Sequence, residues 1–223
     1  MKDAIKAVIF DLDGVLLDSE KVARRRWHQV GEEMGLPGID GVYLRCVGTN
    51  PAMTRRIMED AYGEAFSMEE FYRRLLADRP KDGRAVMPVK AGSGEILEAL
   101  HATGVKLAVA SSSPADYVRR ELEGGGLLKY FDHLVSGDMV TQSKPHPEIF
   151  LKAAELCGVQ PAEAWVIEDS FNGIRAAHAA GTHALMVPDL IPPDDEMLEK
   201  AEVILQDLLA ARDFLLNRFG EGR

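Results

Sequence analysis

Residues 4–14 have the sequence AIKAVIFDLDG, and this stretch decides the fold. Residues 4–10 predict a short β-strand, because they are mainly apolar and rich in β-branched side chains. The strand ends abruptly at Asp11-Leu12-Asp13-Gly14. An apolar strand with a polar end is typical of a buried parallel sheet, in which ligands bind beyond the carboxyl ends of the strands.

Further short apolar segments also predict strands, and each of them ends in polar residues. They lie at residues 106–110, 133–136, 164–167 and 184–187. Helical patterns lie between these strands, at residues 93–103, 114–123, 147–157 and 172–180. The C-terminal segment also has a helical pattern, with an apolar stripe made of Leu208, Leu209, Leu215, Leu216 and Phe219. The alternation predicts an α/β fold with a Rossmann-like, three-layer core, in which helices cover both faces of a parallel sheet.

Residues 18–86 interrupt this alternation, since they contain helical patterns at residues 18–34, 52–62 and 68–79 and no convincing strand. We therefore predict an all-helical cap domain at 18–86, inserted into a catalytic core made of residues 1–17 and 87–223. The insert has 12 Lys and Arg against 12 Asp and Glu, so the formal charge of −10 lies entirely on the core. A relatively basic insert suits an anionic ligand.

The composition is that of a globular protein, with 46% hydrophobic and 28% charged residues among 223. The net charge of −10 argues against binding to nucleic acid or to anionic membranes, both of which need a basic surface. Cys46 and Cys157 form no C-x-x-C motif, and the apolar run 7–10 is too short for a signal peptide or membrane span. We expect a cytoplasmic monomer or weak dimer with free thiols.

Two acidic pairs at strand ends predict a metal site. Asp11 and Asp13 follow the first strand, and Glu168 and Asp169 follow the fourth. If these strands are neighbours, the carboxylates share one crevice, where their repulsion and desolvation call for a cation. Oxygen ligands of this kind favour Mg²⁺. The alternatives are an Asx turn or helix cap for the first pair, and a turn with Ser170 as helix cap for the second.

A serine triplet and a lysine predict phosphate binding. Ser111 and Ser112 offer hydroxyl and backbone N–H groups at a strand end, while Ser113 has an alternative role as the N-cap of the next helix. Lys144 lies in Lys-Pro-His-Pro at a helix entrance, where it is either a fixed positive charge beside the carboxylates or simply solvated. We expect His146 to be structural or exposed.

Together these motifs resemble the haloacid dehalogenase superfamily over nearly the whole chain. The family's motifs stand here, in the family's order, as Asp11-Leu12-Asp13-Gly14, Ser111, Lys144-Pro145 and Glu168-Asp169-Ser170. The helical insert resembles the family's small cap. Asp18-Ser19-Glu20 is similar to the branch of β-phosphoglucomutase-like proteins and sugar-phosphate phosphatases.

The resemblance implies phosphoryl transfer through a covalent aspartyl-phosphate. Asp11 is then the nucleophile, and Asp13 is the general acid and base. Mg²⁺ is held by Asp11, the backbone carbonyl of Asp13 and Asp169, with Glu168 close by. Ser111, with Ser112 beside it, and Lys144 bind the phosphoryl group.

Substrate choice is expected to depend on the insert, with Trp27, Arg45, Thr49 and Asn50 as candidate contacts. The alternative function is a β-phosphoglucomutase-type phosphomutase, but Ala23 and Pro51 stand where that enzyme has a gating histidine and a phosphate-binding arginine. We therefore expect a Mg²⁺-dependent phosphatase acting on a small phosphorylated metabolite of the sugar-phosphate type. A phospho-acceptor signalling domain is disfavoured, because it needs an open aspartate and no cap.

Overall fold

In the computed structural model, the chain is described over residues 5–47, 49, 51–63, 66–77 and 87–220. The strands of this part are β1 (Ala7–Phe10), β2 (Lys106–Ala110), β3 (His133–Val135), β4 (Ala164–Glu168), β5 (His183–Met186) and β6 (Val203–Ile204). They form a parallel sheet in the order β3-β2-β1-β4-β5-β6. β1 is therefore central, and its neighbours are β2 and β4.

The helices of the described part follow in chain order. They are α1 (Ser19–Glu33), α2 (Ile39–Cys46), α3 (Pro51–Tyr62), α4 (Met68–Ala77), α5 (Ser93–His101), α6 (Ala115–Gly124), α7 (Glu148–Cys157), α8 (Phe171–Ala180), α9 (Asp195–Lys200) and α10 (Leu208–Gly220). None of these helices is long and apolar enough to cross a membrane.

Helices cover both faces of the sheet, as the alternating side chains of β1 illustrate. Val8 and Phe10 lie in one apolar cluster with residues of α5 and α10, such as Leu97 and Leu215. Ala7 and Ile9 lie in a second cluster with residues of α7 and α8, such as Phe150. These side chains are buried, and burial of such surface is the main stabilising contribution to the core. The predicted three-layer α/β fold is confirmed.

The chain divides into two compact units, Met1–Asp18 with Val86–Arg223, and Ser19–Ala85. The second unit contains α1 to α4. Its apolar centre includes Trp27, whose ring packs edge-on against Tyr43 at 5.1 Å and against Phe71 at 4.9 Å. A functional division into catalytic core and cap stays a prediction.

The predicted strands are all present: β2 has the predicted bounds, and the ends of the others are shifted by one to three residues. Among the helices and strands named above, α2, α9 and β6 were not predicted. β6 has two residues and α9 has six, which is too short for a clear hydrophobic period. The predicted helix at 68–79 ends at Ala77, and residues 78 and 79 lie outside the described part.

Candidate active site

The centre of the site is a tight loop that follows β1. The Asp11 amide donates to the Ile167 carbonyl at 3.0 Å, which extends the pairing with β4. The Gly14 amide donates to the Leu17 carbonyl at 3.0 Å and closes the turn. Gly14 has φ +83°, and a Cβ there would lie 2.1 Å from Asp169 Oδ2. Only glycine allows both the left-handed backbone and the close approach of this carboxylate.

A largely buried ion pair contacts this loop. Lys90 Nζ donates to the Gly14 carbonyl and pairs with Asp189 Oδ1 at 3.0 Å. The Lys90 amide also donates to the Leu16 carbonyl at 2.9 Å. Neither Lys90 nor Asp189 was singled out from the sequence, because a lone lysine and a lone aspartate carry no motif. Their contacts fix the backbone that carries Asp11 and Asp13.

Lys144 joins the ends of three strands. Its Nζ donates to Asp11 Oδ1 at 2.5 Å, to Glu168 Oε1 at 2.7 Å and to the Ala110 carbonyl at 3.0 Å. The side chain is only 8% exposed. Lys144 therefore lies beside the carboxylates as a fixed positive charge, as predicted, and the alternative of a solvated side chain is wrong.

Electrostatics explain why this lysine stays charged. Burial lowers the pKa of Lys144, but the carboxylates of Asp11 and Glu168 outweigh burial and raise that pKa above its ordinary value. Burial raises the pKa of Asp11 to about 8, against the lowering effect of Lys144, and the negative charges of Glu168 and Asp13 add to the rise. One ammonium group does not balance the carboxylates around it.

Glu168 is held on both oxygens. Oε1 accepts from Lys144, while Oε2 accepts from the amides of Asp169 and Ser170 at 3.0 and 3.1 Å and from the Ser170 hydroxyl at 3.0 Å. The Ser170 Oγ also accepts from the Gly173 amide at 3.0 Å as the N-cap of α8. The turn with Ser170 as helix cap, considered as an alternative to the metal site, is thus present. It occurs together with the acidic cluster.

Asp11, Glu168 and Asp169 form a cluster with the donor set of a cation site. Each offers a carboxylate oxygen, and the three oxygens lie within 4.8 Å of one another. When all three carboxylates are ionised and Lys144 is their positive partner, two negative charges remain in excess. A divalent cation with oxygen ligands fits that charge and chemistry.

Asp13 accepts hydrogen bonds from two hydroxyl groups. Its Oδ1 accepts from the Tyr117 hydroxyl at 3.0 Å and its Oδ2 from the Ser113 hydroxyl at 2.9 Å. Burial raises the pKa of Tyr117, and the negative charge of Asp13 raises it further. The phenol therefore stays protonated and serves as a hydrogen-bond donor to Asp13. Tyr117 was not predicted, since only the tertiary structure brings it to Asp13.

The serine triplet takes roles that differ from residue to residue. Ser111 is buried, and its Oγ accepts from the Ser113 amide at 3.1 Å. Ser112 is exposed. The N-cap role considered for Ser113 is wrong: Pro114 is the N-cap residue of α6, and the Ser113 hydroxyl donates to Asp13 instead. His146 is 42% exposed, and its Nδ1 accepts from the Glu148 amide at 3.3 Å.

The candidate substrate contacts of the helical unit have varied surroundings within that unit. Trp27 is 9% exposed and belongs to its apolar centre. Thr49 Oγ1 donates to the Cys46 carbonyl at 2.8 Å and lies 2.8 Å from Thr54 Oγ1. Arg45 is exposed, and Asn50 lies outside the described residues. Their role in substrate choice stays a prediction.

The sequence of this chain is similar to those of known proteins. Residues 8–187 match the family of haloacid dehalogenase-like hydrolases. The chain is 34% identical to a phosphorylated carbohydrates phosphatase of Thermotoga maritima, over 79% of this chain and 82% of that protein. It is 32% identical to a fructose-1-phosphate phosphatase of Escherichia coli, over 84% of this chain and 98% of that protein.

The fold of this chain is also similar to those of solved structures. A HAD family hydrolase from Deinococcus radiodurans with bound phosphate and sodium has a TM-score of 0.82 and 28% identity, over 97% of each chain. A β-phosphoglucomutase from Clostridium difficile has a TM-score of 0.69 and 22% identity over 98% of each chain, which shows the fold alone. The family match covers most of the chain, including every motif residue from Asp11 to Ser170. This chain belongs to the family of haloacid dehalogenase-like hydrolases.

Proposed function

We propose that the chain is a Mg²⁺-dependent phosphatase of small phosphate monoesters, with sugar phosphates as its substrate class. The observation that carries this proposal is the buried Asp11 carboxylate, in contact with Lys144 and clustered with Glu168 and Asp169. A carboxylate so placed has a cationic partner and an oxygen-ligand cluster beside it, as phosphoryl transfer requires. The names of the two phosphatase relatives support the substrate class.

The reaction proceeds in two displacements at phosphorus. In the first, an Asp11 oxygen attacks the phosphorus atom and the bond to the substrate oxygen breaks, while Asp13 gives that oxygen its proton. In the second, a water oxygen attacks the aspartyl-phosphate and Asp13 takes the water proton. The bond between phosphorus and Asp11 then breaks, which releases inorganic phosphate and restores the free carboxylate.

The other polar groups bind and orient. Lys144 keeps its charge and attracts the phosphoryl oxygens, and Ser111 and Ser112 offer hydroxyl and amide donors at the end of β2. Asp11, Asp169 and the Asp13 carbonyl are proposed to hold Mg²⁺, which supplies charge neutralisation to the phosphoryl group when bound. Glu168 accepts from Lys144 and from the Ser170 amide, so we assign it the role of holding Lys144 and the loop before α8.

Assays with two substrates test the proposal against its alternative. Purified protein with Mg²⁺ is expected to release inorganic phosphate from fructose 1-phosphate and other sugar phosphates, and EDTA should stop the release. With β-glucose 1-phosphate, conversion to glucose 6-phosphate without net phosphate release would instead support the phosphomutase. No turnover of any phosphate monoester would overturn both.

Asp11→Asn tests the covalent route. It should lower phosphate release by about 1,000-fold or more, because the amide is a poor nucleophile in place of the carboxylate. Far-ultraviolet circular dichroism should be unchanged. Asp213→Asn is the matched control, since it makes the same change at a carboxylate that is 63% exposed on α10. Residual activity of Asp11→Asn within tenfold of wild type would contradict the mechanism.

The proposed location is the cytoplasm. Cys46 and Cys157 are both free and buried, as expected of thiols in a reducing compartment.

A further inference from the structure

Two hydroxyl groups hold the Asp13 carboxylate, one on each oxygen. Tyr117 donates to Oδ1 at 3.0 Å, and Ser113 donates to Oδ2 at 2.9 Å. A single donor would leave the carboxylate free to rotate about its Cβ–Cγ bond, whereas two donors on opposite oxygens fix its plane. Each oxygen keeps a second lone pair, which remains available for proton exchange with a ligand.

The two donors are themselves held firmly. The Tyr117 ring packs against the apolar cluster beneath α6, and the Arg120 guanidinium lies 5.2 Å from the ring centre. The Ser113 amide donates to Ser111 Oγ at 3.1 Å, and the Ser113 carbonyl accepts from the Gly137 amide at 2.9 Å. The orientation of Asp13 is therefore set by the end of β2 and the first turn of α6.

We propose that Tyr117, assisted by Ser113, is a positioning residue that holds Asp13 in the orientation needed to exchange a proton with the substrate oxygen. This inference rests on the proposed phosphatase function. It adds a residue outside the strand-end motifs to the proton-transfer machinery. Tyr117 acts through Asp13 and has no role of its own in attack on phosphorus.

A positioning role of Tyr117 differs from a merely structural one in how the rate of phosphoryl transfer depends on the leaving group. An alkoxide leaving from a sugar phosphate is a strong base and needs the Asp13 proton as its bond to phosphorus breaks. A p-nitrophenolate ion is a weak base and leaves without that proton. Misplacement of Asp13 should therefore slow phosphoryl transfer from the sugar phosphate and spare transfer from p-nitrophenyl phosphate.

The experiment measures kcat/KM of Tyr117→Phe on fructose 1-phosphate and on p-nitrophenyl phosphate. This constant reports the steps up to departure of the leaving group, so the later attack of water does not enter it. The expected fall is about 10- to 100-fold for the sugar phosphate and less than about threefold for the aryl phosphate. The ratio of the two constants is independent of how much of the variant is folded, because both substrates meet the same enzyme.

Further variants complete the test. Ser113→Ala should change the ratio in the same direction, and Asp13→Asn should give the largest change. Tyr130→Phe is the matched control, because it removes a phenolic hydroxyl from a half-buried ring before β3, where the residue packs against the same apolar cluster. It should leave both constants unchanged.

The outcomes are distinct. A sugar-selective fall in Tyr117→Phe supports the inference. An equal fall for both substrates, or no fall, overturns it while the phosphatase function stands. Failure of the wild-type chain to hydrolyse any phosphate monoester, these two included, overturns the proposed function, and this inference with it.

Discussion

At the scale of single residues, the main feature of the site is an excess of negatively charged groups. Asp11 and Glu168 are 7% and 1% exposed, and both contact the single ammonium group of Lys144. Water contributes little to the solvation of these groups, so their energies depend on one another and on any cation nearby. Ionisation of Asp11 should therefore be visible in the stability of the metal-free chain.

Stability of the metal-free protein should fall as the pH rises toward 8. Burial raises the pKa of Asp11 from 3.8 to about 8, so between these values the folded chain keeps a proton that the unfolded chain releases. The free energy of unfolding then decreases with rising pH over this window. Urea unfolding in EDTA, at about pH 5 and about pH 8, should show a smaller pH effect in Asp11→Asn, which cannot ionise. Asp213→Asn should retain the wild-type pH effect, and equal slopes in all three proteins would contradict the expectation.

At the scale of elements, the start of α8 is shaped to bring a helix against a buried carboxylate. Ser170 caps the helix, and its hydroxyl also donates to Glu168. At Gly173 there is no room for a side chain, because a Cβ would lie 1.8 Å from Glu168 Cδ. The glycine is thus required by packing and not by its backbone angles.

Gly173→Ala should lower the free energy of unfolding by about 1–3 kcal/mol, since Glu168 or the helix must move to admit the methyl group. Gly94→Ala is the matched control in the first turn of α5, where nothing lies within 4 Å of the new Cβ. That change should be neutral or stabilising by up to about 1 kcal/mol, because alanine favours helix. Chemical denaturation of both variants checks this, and equal effects would rule out the steric explanation.

At the scale of the whole molecule, the carboxylate cluster exists only in the folded chain. Asp11 and Asp169 follow the adjacent parallel strands β1 and β4, yet they are far apart in sequence. A cation bound by them therefore binds the folded state and not the unfolded one. Binding of this kind adds directly to the free energy of unfolding.

Mg²⁺ at 100 times its dissociation constant should stabilise the protein by about 2.7 kcal/mol. For a chain of this size, that corresponds to about 5–10 °C in the melting temperature. Fluorescence of a Trp27→Phe background reports the core alone, because Trp165 on β4 is then the remaining tryptophan of the chain. Asp169→Asn should abolish the Mg²⁺ shift, and Asp213→Asn should preserve it. A shift of the same size in Asp169→Asn would place the metal elsewhere.

The sequence by itself determined the parallel α/β core, the strand ends and the main polar residues at those ends. It could do so because each is a local property: a run of apolar, β-branched residues that stops at Asp11 or at Glu168 is visible without knowledge of the fold. The order of the motifs along the chain then sufficed to predict the family.

Only the tertiary structure decided which of these residues touch, and which others join them. Tyr117 contacts Asp13 across 104 positions of sequence, and Lys90 reaches the Gly14 carbonyl across 76. Ser113 has the local pattern of a helix cap, but it donates to Asp13 because parallel pairing brings the end of β2 beside the end of β1. Contacts of this kind follow from sheet register and helix packing. A single side chain that makes such a contact has no local pattern in the sequence that would predict it.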